Sequence, residues 1–397
     1  MRYDGSSRFS PDSRWGLFPS FSAGWRISEE EFMKDIDWLR NLKLRASWGK
    51  LGNNSIGNYE WQALYGSGYN YAFNSNKSNG LAMTTFSNYA LEWEETAITN
   101  IGLDFGVLNN RLNGTIEVYD KKTDGILYRP TLPESLNQFT SPLQNLAGVN
   151  NKGLEITLGW NDRVGDISYS VSGNFTYNKN KVTKYKGELV REWRTDANGN
   201  KVWYQNVGTV ANGSSNLIVE GHEMNEYYMM NPYKGNGSYF NSDGTVNING
   251  GPKDGMIRTE ADMKWLQAMF DAGYKFYPNQ AIGKDKIWYG DMIYADYNGD
   301  GIYGNDDDRD FQGVSWRPKY YFGLQASMTW KGFDLSMNWA GAAGFKIDYY
   351  KQTQNSVSVT HGYGLGYDIA YDHYFFDPEN PNDPRTIIYS ETPRLVG

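Results

Sequence analysis

The chain has 397 residues, no cysteine and a formal net charge of −8, which disfavours a nucleic-acid partner, because such partners select basic surfaces. No run approaches the roughly 18 apolar residues that a membrane-spanning helix needs, and the mean hydropathy is −0.67. Aromatic residues make up 16% of the chain, a composition typical of surfaces that are apolar on one side and wet on the other.

The clearest pattern along the chain is the alternation of apolar and polar residues in segments that are joined in pairs. Such alternation predicts β-strands with one apolar and one polar face, and two strands around a tight turn predict a hairpin. The turns are expected at Asn109-Asn110, Asn161–Asp166 and Lys331-Gly332. In chain order, the apolar positions are Leu42, Leu44, Ala46 and Trp48; Ile101, Leu103, Phe105 and Val107; Leu112, Gly114, Ile116 and Val118; Leu154, Ile156, Leu158 and Trp160; Ile167, Tyr169, Val171, Phe175 and Tyr177; Tyr320, Phe322, Leu324, Ala326, Met328 and Trp330; and Phe333, Leu335, Met337 and Trp339.

The segments are about 9–11 residues long, the length with which a tilted strand crosses a bilayer. Short turns alternate with long polar stretches over 49–97, 120–150 and 178–319, as in barrels with short periplasmic turns and long extracellular loops. We therefore predict an all-β fold, part of a transmembrane antiparallel β-barrel with long extracellular loops. A soluble β-sandwich is the alternative, because its strands also alternate. Aromatic residues expected at the ends of the spanning strands are Trp160, Tyr177, Tyr320, Trp330, Phe333 and Trp339.

Three regions follow from this pattern. Residues 1–177 are expected to form barrel strands and loops, and 178–319 a long extracellular loop region. Residues 320–397 are expected to form further barrel strands and a loop, truncated before the final strands. Within the middle region, Arg258–Gly273 predicts a helix, since Thr259 and Asp262 form a plausible capping pair before an apolar stripe. A small inserted soluble domain is the alternative for the middle region.

Residues that would carry covalent catalysis are scarce. The chain has no cysteine and only 3 histidines, and it contains no Gly-x-Ser-x-Gly nucleophile motif. Pairs of carboxylates are numerous, so a glycosidase dyad is compatible with the residue types, but nothing distinguishes one pair. We therefore predict that the protein is not an enzyme.

One acidic segment, Asp296–Asp308, matches the start of a calcium-binding loop. Oxygen ligands stand at its first, third and fifth positions, glycine at the sixth and a backbone carbonyl at the seventh, the pattern with which such loops surround Ca²⁺. A solvated turn rich in Asp and Asn is the alternative. The predicted structural Ca²⁺ site consists of Asp296, Asn298, Asp300, the Ile302 carbonyl, and Asp307 or Asp308.

Large aromatic residues are also frequent in the long polar stretches. Tyr and Trp side chains are costly to expose without a partner, so we expect them to stack on sugar rings or to seat a protein partner. The second use is favoured, since a small glycan needs only a few aromatics. The candidates are Trp61, Tyr65, Tyr69, Tyr71, Trp193, Trp203, Tyr227 and Tyr228.

A set of short motifs, in a fixed order along nearly the whole chain, resembles the SusC/RagA family of TonB-dependent outer-membrane transporters. Singly these motifs are weak, but their order is specific. They are Asp4-Gly5-Ser6-Ser7-Arg8-Phe9, Phe18-Pro19-Ser20 with Gly24-Trp25, Leu42-Lys43-Leu44-Arg45-Ala46-Ser47 with Gly52-Asn53, Leu91-Glu92-Trp93-Glu94, Gly102-Leu103-Asp104-Phe105, Tyr119-Asp120-Lys121-Lys122-Thr123, Asn151-Lys152-Gly153-Leu154-Glu155, Gly173-Asn174-Phe175, Gly290-Asp291 and Asp308-Arg309.

The resemblance implies a bacterial outer-membrane location, contact with membrane lipid, and active uptake of oligosaccharides or peptides. It also implies a SusD-type surface lipoprotein as partner and TonB as the energy source. The plug and TonB box of the family precede the matched motifs, and its final strand ends in an aromatic residue. We therefore expect the chain to be an internal fragment that reaches TonB only through a missing N-terminal part. The alternative function is a secreted, calcium-stabilised carbohydrate-binding β-protein; a surface glycosidase would need a carboxylate pair in a cleft.

Overall fold

The structure is a computed structural model, and it describes residues 1–130, 140–347 and 367–395. In chain order the strands are β1 (Arg2–Gly5), β2 (Trp15–Phe18), β3 (Ser20–Arg26), β4 (Leu39–Asn53), β5 (Leu64–Ser67), β6 (Tyr71–Phe73), β7 (Asn76–Ser78), β8 (Leu81–Thr85), β9 (Glu94–Val107), β10 (Leu112–Tyr128), β11 (Gln144–Val164), β12 (Ile167–Lys184), β13 (Arg191–Thr195), β14 (Lys201–Gln205), β15 (Asn216–Leu217), β16 (Glu226–Met230), β17 (Lys275–Phe276), β18 (Ile302–Tyr303), β19 (Arg309–Ser315), β20 (Tyr320–Trp330) and β21 (Phe333–Ala343). The α-helices are α1 (Val207–Val210), α2 (Glu260–Asp271) and α3 (Tyr367–Tyr371), and short 3-10 helices cover Ile27–Glu29, Glu31–Met33 and Asp306–Asp308. No helix in these described ranges is long and apolar enough to cross a membrane.

One eight-stranded sheet organises the chain, with the strand order β21-β20-β12-β11-β10-β9-β4-β3. Every neighbouring pair in it is antiparallel. We call the eight strands of this sheet the wall strands. Strands that follow one another in the sequence of wall strands are neighbours in the sheet, which is an up-and-down arrangement. Two long connections, after β4 and after β12, leave the sheet and return to it.

The predicted strand length of 9–11 residues was wrong for the central wall strands, which are longer. β11 has 21 residues, β12 has 18 and β10 has 17, whereas β20 and β21 have 11. The alternating pattern marks only the apolar part of each strand, while backbone pairing continues into polar residues. As a result, the expected stretch 178–319 begins its departure only after Lys184. Likewise, the stretch 120–150 reduces to 129–143, of which 131–139 lie outside the described residues.

Tight turns join the strands at one end of the sheet. Lys331 and Gly332 have φ values of 45° and 88°, the left-handed conformation of both central residues that matches the twist of a two-residue hairpin. Between β11 and β12 the turn is only Gly165 and Asp166, not the predicted Asn161–Asp166, because pairing continues to Val164↔Ile167. All of these turns lie opposite the long connections.

The long connection after β12 folds around its own apolar core. Helix α2 begins at the predicted cap: the Thr259 side chain accepts a hydrogen bond from the Asp262 N–H, and the Asp262 carboxylate accepts one from the Thr259 N–H. This reciprocal capping satisfies backbone donors that a helix start otherwise leaves free. The predicted helix is therefore confirmed. Its buried face contributes Trp265, Leu266 and Met269 to a core that also contains Tyr233, Ile257, Phe276, Ile287, Ile293 and Tyr303.

Candidate functional site

The two faces of the large sheet differ sharply in chemistry. On one face, cross-strand partners form continuous apolar rows across seven strands. One such row is Leu44, Leu103, Ile116, Ile156, Phe175, Phe322 and Gly341. These side chains remain largely uncovered: Leu324 is 44% exposed and Leu335 is 47% exposed. An exposed apolar surface of this extent marks a membrane or protein interaction site.

Aromatic residues border this apolar band at both ends. Trp330 and Phe333 stack with ring centroids 6.3 Å apart beside the short turn. Tyr177 and Tyr320 stack at 5.2 Å at the other end. Paired girdles of this kind sit at the two headgroup layers of an outer-membrane barrel. Of the residues predicted to lie at strand ends, Trp160 and Trp339 lie instead within the band, opposite Val171 and Leu324.

The opposite face of the sheet is charged and polar. The Arg45 guanidinium lies between two carboxylates on neighbouring strands: its Nε is 3.3 Å from Asp104, and its other end donates to Glu117. The Thr115 hydroxyl donates to Asp104 over 3.0 Å. Charged and polar groups of this kind suit a surface that water reaches, as in the lumen of an outer-membrane barrel. The sheet therefore has one face suited to lipid and one suited to a wet interior.

The Asp296 loop is held together by hydrogen bonds to its own backbone. The Asp296 carboxylate accepts from the N–H groups of Gly299 at 2.7 Å, Asp300 at 3.2 Å and Gly301 at 2.9 Å. The Asp300 carboxylate accepts from the Ile302 N–H at 2.7 Å. These bonds curl the chain as a calcium loop requires. They also satisfy the carboxylates without a cation, as the alternative of an Asp- and Asn-rich turn requires.

The two candidates for the last metal ligand occupy different environments. Asp308 is buried, and its carboxylate accepts from the N–H groups of Tyr297 at 2.7 Å and Gly304 at 2.7 Å. Burial raises the pKa of this carboxyl to about 6. Asp307 instead accepts a hydrogen bond from the Gln205 side chain. Asp308 is therefore bonded to the backbone of the loop itself, whereas Asp307 is bonded to strand β14. Within the described ranges, no group of three His, Cys, Asp or Glu side chains is arranged to hold a metal.

The candidate aromatic residues fall into two groups. Tyr65, Tyr69 and Tyr71 are more than half exposed, on and between strands β5 and β6. Tyr227 and Tyr228 are only 6% and 4% exposed, so they are not free to bind a ligand or partner. Their burial has a physical reason and speaks against the predicted role: the Tyr227 hydroxyl donates to the Lys346 carbonyl, and the Tyr228 ring packs on Phe311 at 4.9 Å.

The remaining three candidates are partly used inside the protein. Trp61 packs against a small core of Phe9, Ile56 and Leu91. Trp193 donates its indole N–H to the Asn298 carbonyl over 2.8 Å, and Trp203 lies 5.7 Å from it, ring to ring. These contacts fix the β13–β14 hairpin to the Asp296 loop. Only Tyr65, Tyr69 and Tyr71 among the eight candidates therefore present a mostly free aromatic surface.

Beneath this region, Glu226 joins three segments of the long connection. Its buried carboxylate lies 3.1 Å from His222 Nδ1 and accepts from the Gly313 N–H over 2.6 Å. Burial raises the pKa of Glu226, but these hydrogen bonds lower it more, so the pKa lies below its ordinary value of 4.5. The ionised carboxylate is therefore part of the folded structure here.

A contact that sequence reasoning missed joins the segment 367–395 to the long connection. The Arg394 guanidinium forms two hydrogen bonds with the Asp291 carboxylate, at 2.6 and 2.8 Å. The buried Tyr374 donates its hydroxyl to the Arg258 carbonyl over 2.6 Å and packs with Met256 and Tyr289. No local pattern in the sequence pairs residues so far apart.

The first 215 residues match the family model described as TonB dependent receptor-like, beta-barrel. TonB-dependent receptor SusC of Bacteroides thetaiotaomicron is 38% identical over 224 residues, which is 53% of this chain and 22% of that protein. TonB-dependent receptor P39 of Formosa agariphila is 35% identical over 257 residues, which is 61% of this chain and 24% of that protein. The matched segments thus span about a quarter of the length of these curated relatives.

Solved structures of the RagAB peptide importer share the fold. In its closed-closed state the TM-score is 0.65 at 21% identity, covering 99% of this chain and 35% of that chain. In its open-open state the TM-score is 0.66, covering 98% and 34%. At this level of identity the likeness concerns the fold alone.

The chain belongs to the family of TonB-dependent receptor β-barrels, because the family model covers more than half of it. The predictions of an all-β partial barrel and of an outer-membrane location are confirmed. The family consists of receptors and transporters rather than enzymes. A secreted β-sandwich does not fit, since the apolar face of the sheet meets no second sheet within the described residues.

Proposed function

We propose that this member of the TonB-dependent receptor family forms part of an outer-membrane transporter that imports oligosaccharides or peptides with energy delivered through TonB. The observation that carries the proposal is the large sheet itself, whose uncovered apolar face and charged opposite face suit the wall of a water-filled barrel. The names of the similar proteins indicate the class of transporter: one is a TonB-dependent receptor and another a peptide importer.

Uptake by whole cells that express the complete transporter tests this proposal. Labelled oligosaccharides and labelled peptides are offered separately, to cells with and without a functional TonB. We expect one of the two classes to accumulate, and only where TonB is present. Accumulation that does not depend on TonB would contradict active transport, and accumulation of neither class would remove the proposed substrates.

The extracellular side of the transporter is proposed to carry a SusD-type lipoprotein, seated partly on Tyr65, Tyr69 and Tyr71. These three rings are 67%, 54% and 69% exposed, and they belong to a connection at the long-loop end of the sheet. Amphipathic aromatic side chains with few rotatable bonds are enriched at protein interfaces. Phe73 and Leu81 on the adjoining strands are 64% and 72% exposed and widen this apolar surface. A surface wider than the few contacts of a small glycan suits a partner protein better.

Replacing these three tyrosines by serine should weaken co-purification of the lipoprotein while the barrel still assembles. The matched control is a shortened tip of the β13–β14 hairpin at 196–200, which is exposed and polar. If the serine variant keeps the lipoprotein and loses only substrate binding, the tyrosines serve the ligand instead.

The Asp296 loop is proposed to hold a structural Ca²⁺ through Asp296, Asn298, Asp300, the Ile302 carbonyl and Asp308. All are oxygen donors, which Ca²⁺ prefers, and the curled backbone places them in one loop. The three carboxylates do not converge on one point in this structure, so the proposal rests on the type and spacing of the ligands and not on a preformed carboxylate cluster. The ion would tie the long connection together ahead of β20.

Calorimetry of the complete protein with and without Ca²⁺ is the test. A ligand at a hundred times its dissociation constant should add about 2.7 kcal/mol to the free energy of unfolding. Asp300→Asn should reduce this increment, whereas Asp243→Asn, in an exposed turn of similar geometry, should not. Equal stability with and without Ca²⁺ would remove the site.

A further inference from the structure

Several lysines lie on the same face of the sheet as the apolar band, which we call the outward face. They lie just beyond the band, at the end away from the short turns. The face is known from the register: Leu154 pairs with Tyr177, and one step further along the same face Lys152 pairs with Lys179. A step of two residues is about 7 Å along a strand. Lys179 therefore lies directly above Tyr177 of the Tyr177–Tyr320 aromatic pair, and Lys152 lies beside it, above Leu154.

The pairing of Lys152 with Lys179 is electrostatically unfavourable. The two residues are direct cross-strand partners, and like charges in that position destabilise a sheet. On its other side Lys152 pairs with Asp120, with Nζ 3.1 Å from the carboxylate. Asp120 therefore offsets Lys152 and leaves Lys179 uncompensated.

The next row along the same face adds more positive charge. Here Lys122 and Lys181 flank Asn150. Lys122 lies 3.0 Å from Asp124. Both Lys179 and Lys181 are exposed, and neither forms an ion pair within the described parts of the chain. Lys181 also lines one cavity with Glu188 and Glu220. The basic patch, made of Lys122, Lys152, Lys179 and Lys181, therefore has its uncompensated positive charge centred on Lys179.

We propose that the basic patch binds the phosphate groups of lipids in the outer leaflet of the outer membrane. The aromatic pair below it marks the headgroup layer, so the lysine ammonium groups lie at the depth of the phosphates. A phosphate between Lys152 and Lys179 removes the repulsion that their pairing creates, and forms charge-assisted hydrogen bonds with both. Electrostatic attraction of this kind contributes roughly 1 kcal/mol per lysine, about fivefold in affinity. The inference depends on the position of the sheet in the membrane and not on the cargo of the transporter.

The test uses the complete transporter in nanodiscs of phosphatidylcholine, with bis-phosphorylated lipid A added in increasing amounts. Lipid A retained by the protein is measured by native mass spectrometry. We expect the variant Lys179→Gln with Lys181→Gln to retain less lipid A, by roughly fivefold for each lysine removed. Lys179→Arg with Lys181→Arg should retain it, which separates the loss of charge from a loss of folding.

Two controls locate the effect. Lys331→Gln removes a lysine that is 63% exposed at the opposite end of the sheet, and it should leave retention unchanged. Dephosphorylated lipid A should bind all variants alike. Equal retention by wild type and the glutamine variant would overturn the proposal, as would an equal loss in Lys331→Gln. The proposal would also be overturned if inorganic phosphate alone stabilised the wild type against unfolding as strongly as lipid A does. It would likewise be overturned if the glutamine variant kept its lipid A and lost only a protein partner.

Discussion

Adjacent residues on β12 allow the two faces of the sheet to be compared by one substitution each. Val171 lies on the apolar face between Trp160 and Ala326, and it is 39% exposed. Ser172 lies on the polar face between Gly159 and Gln325. Arginine at Val171 must enter lipid or distort the bilayer, whereas arginine at Ser172 enters a wet interior. We expect Val171→Arg to destabilise the complete barrel far more than Ser172→Arg.

The depth of Val171 sets the magnitude. On the apolar face, β11 runs from Leu154 to Val164, which is about 34 Å along the strand. Near the periplasmic end this face also contains Asp162, which forms an ion pair with Arg111. A tilt of about 45° reduces the length along the strand to a height of roughly 24 Å, close to the apolar thickness of outer-membrane barrels. Opposite Trp160, Val171 is then roughly 10 Å above the periplasmic edge, near the midplane. Arginine there should cost about 2–4 kcal/mol, whereas Leu154→Arg at the extracellular edge should cost about 0–1 kcal/mol.

Denaturant titration of the complete protein in lipid vesicles measures these differences. The expected loss for Val171→Arg corresponds to a change of roughly thirtyfold to nearly a thousandfold in the folding equilibrium. Ser172→Arg should stay within about 1 kcal/mol of wild type. If both positions cost the same, the two faces are equally buried and the sheet does not separate lipid from water. If Leu154→Arg costs as much as Val171→Arg, the depth assignment is wrong.

Three further predictions concern the long connection after β12. Thr259→Ala should destabilise the start of helix α2 by about 1 kcal/mol, because the Thr259 side chain caps the Asp262 N–H. Amide hydrogen exchange in the first turn of the helix should then become faster, and unchanged exchange would contradict the cap. Arg394→Met should free the segment 367–395 from Asp291, so limited proteolysis should cut that segment earlier than in wild type, and equal cleavage would show that apolar packing suffices. Because the folded-state pKa of Glu226 lies below its ordinary value of 4.5, the stability it contributes is present above pH 4.5 and is lost as the pH falls through the folded pKa. Glu226→Gln should therefore flatten the acid side of urea-unfolding stability, and an unaltered profile would exclude this group.

Local sequence patterns predicted much of the fold. Alternation placed the apolar face of seven of the eight strands of the sheet, because side chains on a strand point to opposite faces in turn. Strand β3 was not predicted. The Lys331-Gly332 turn and the Thr259 cap were also predictable, since each depends on residues only a few positions apart. The ends of the strands were not, because backbone pairing continues wherever a neighbouring strand offers partners, whatever the polarity of the side chains.

Contacts between distant segments needed the three-dimensional arrangement. Nothing near Tyr228 in the sequence indicates that its ring is buried against Phe311, and composition alone favoured an exposed binding role. The same holds for Asp291 and Arg394, which form an ion pair across 103 positions. A short sequence motif predicts the backbone geometry of only the few residues that it contains. Which side chains become buried, and which charges find a counter-charge, depends on how whole connections pack against one another.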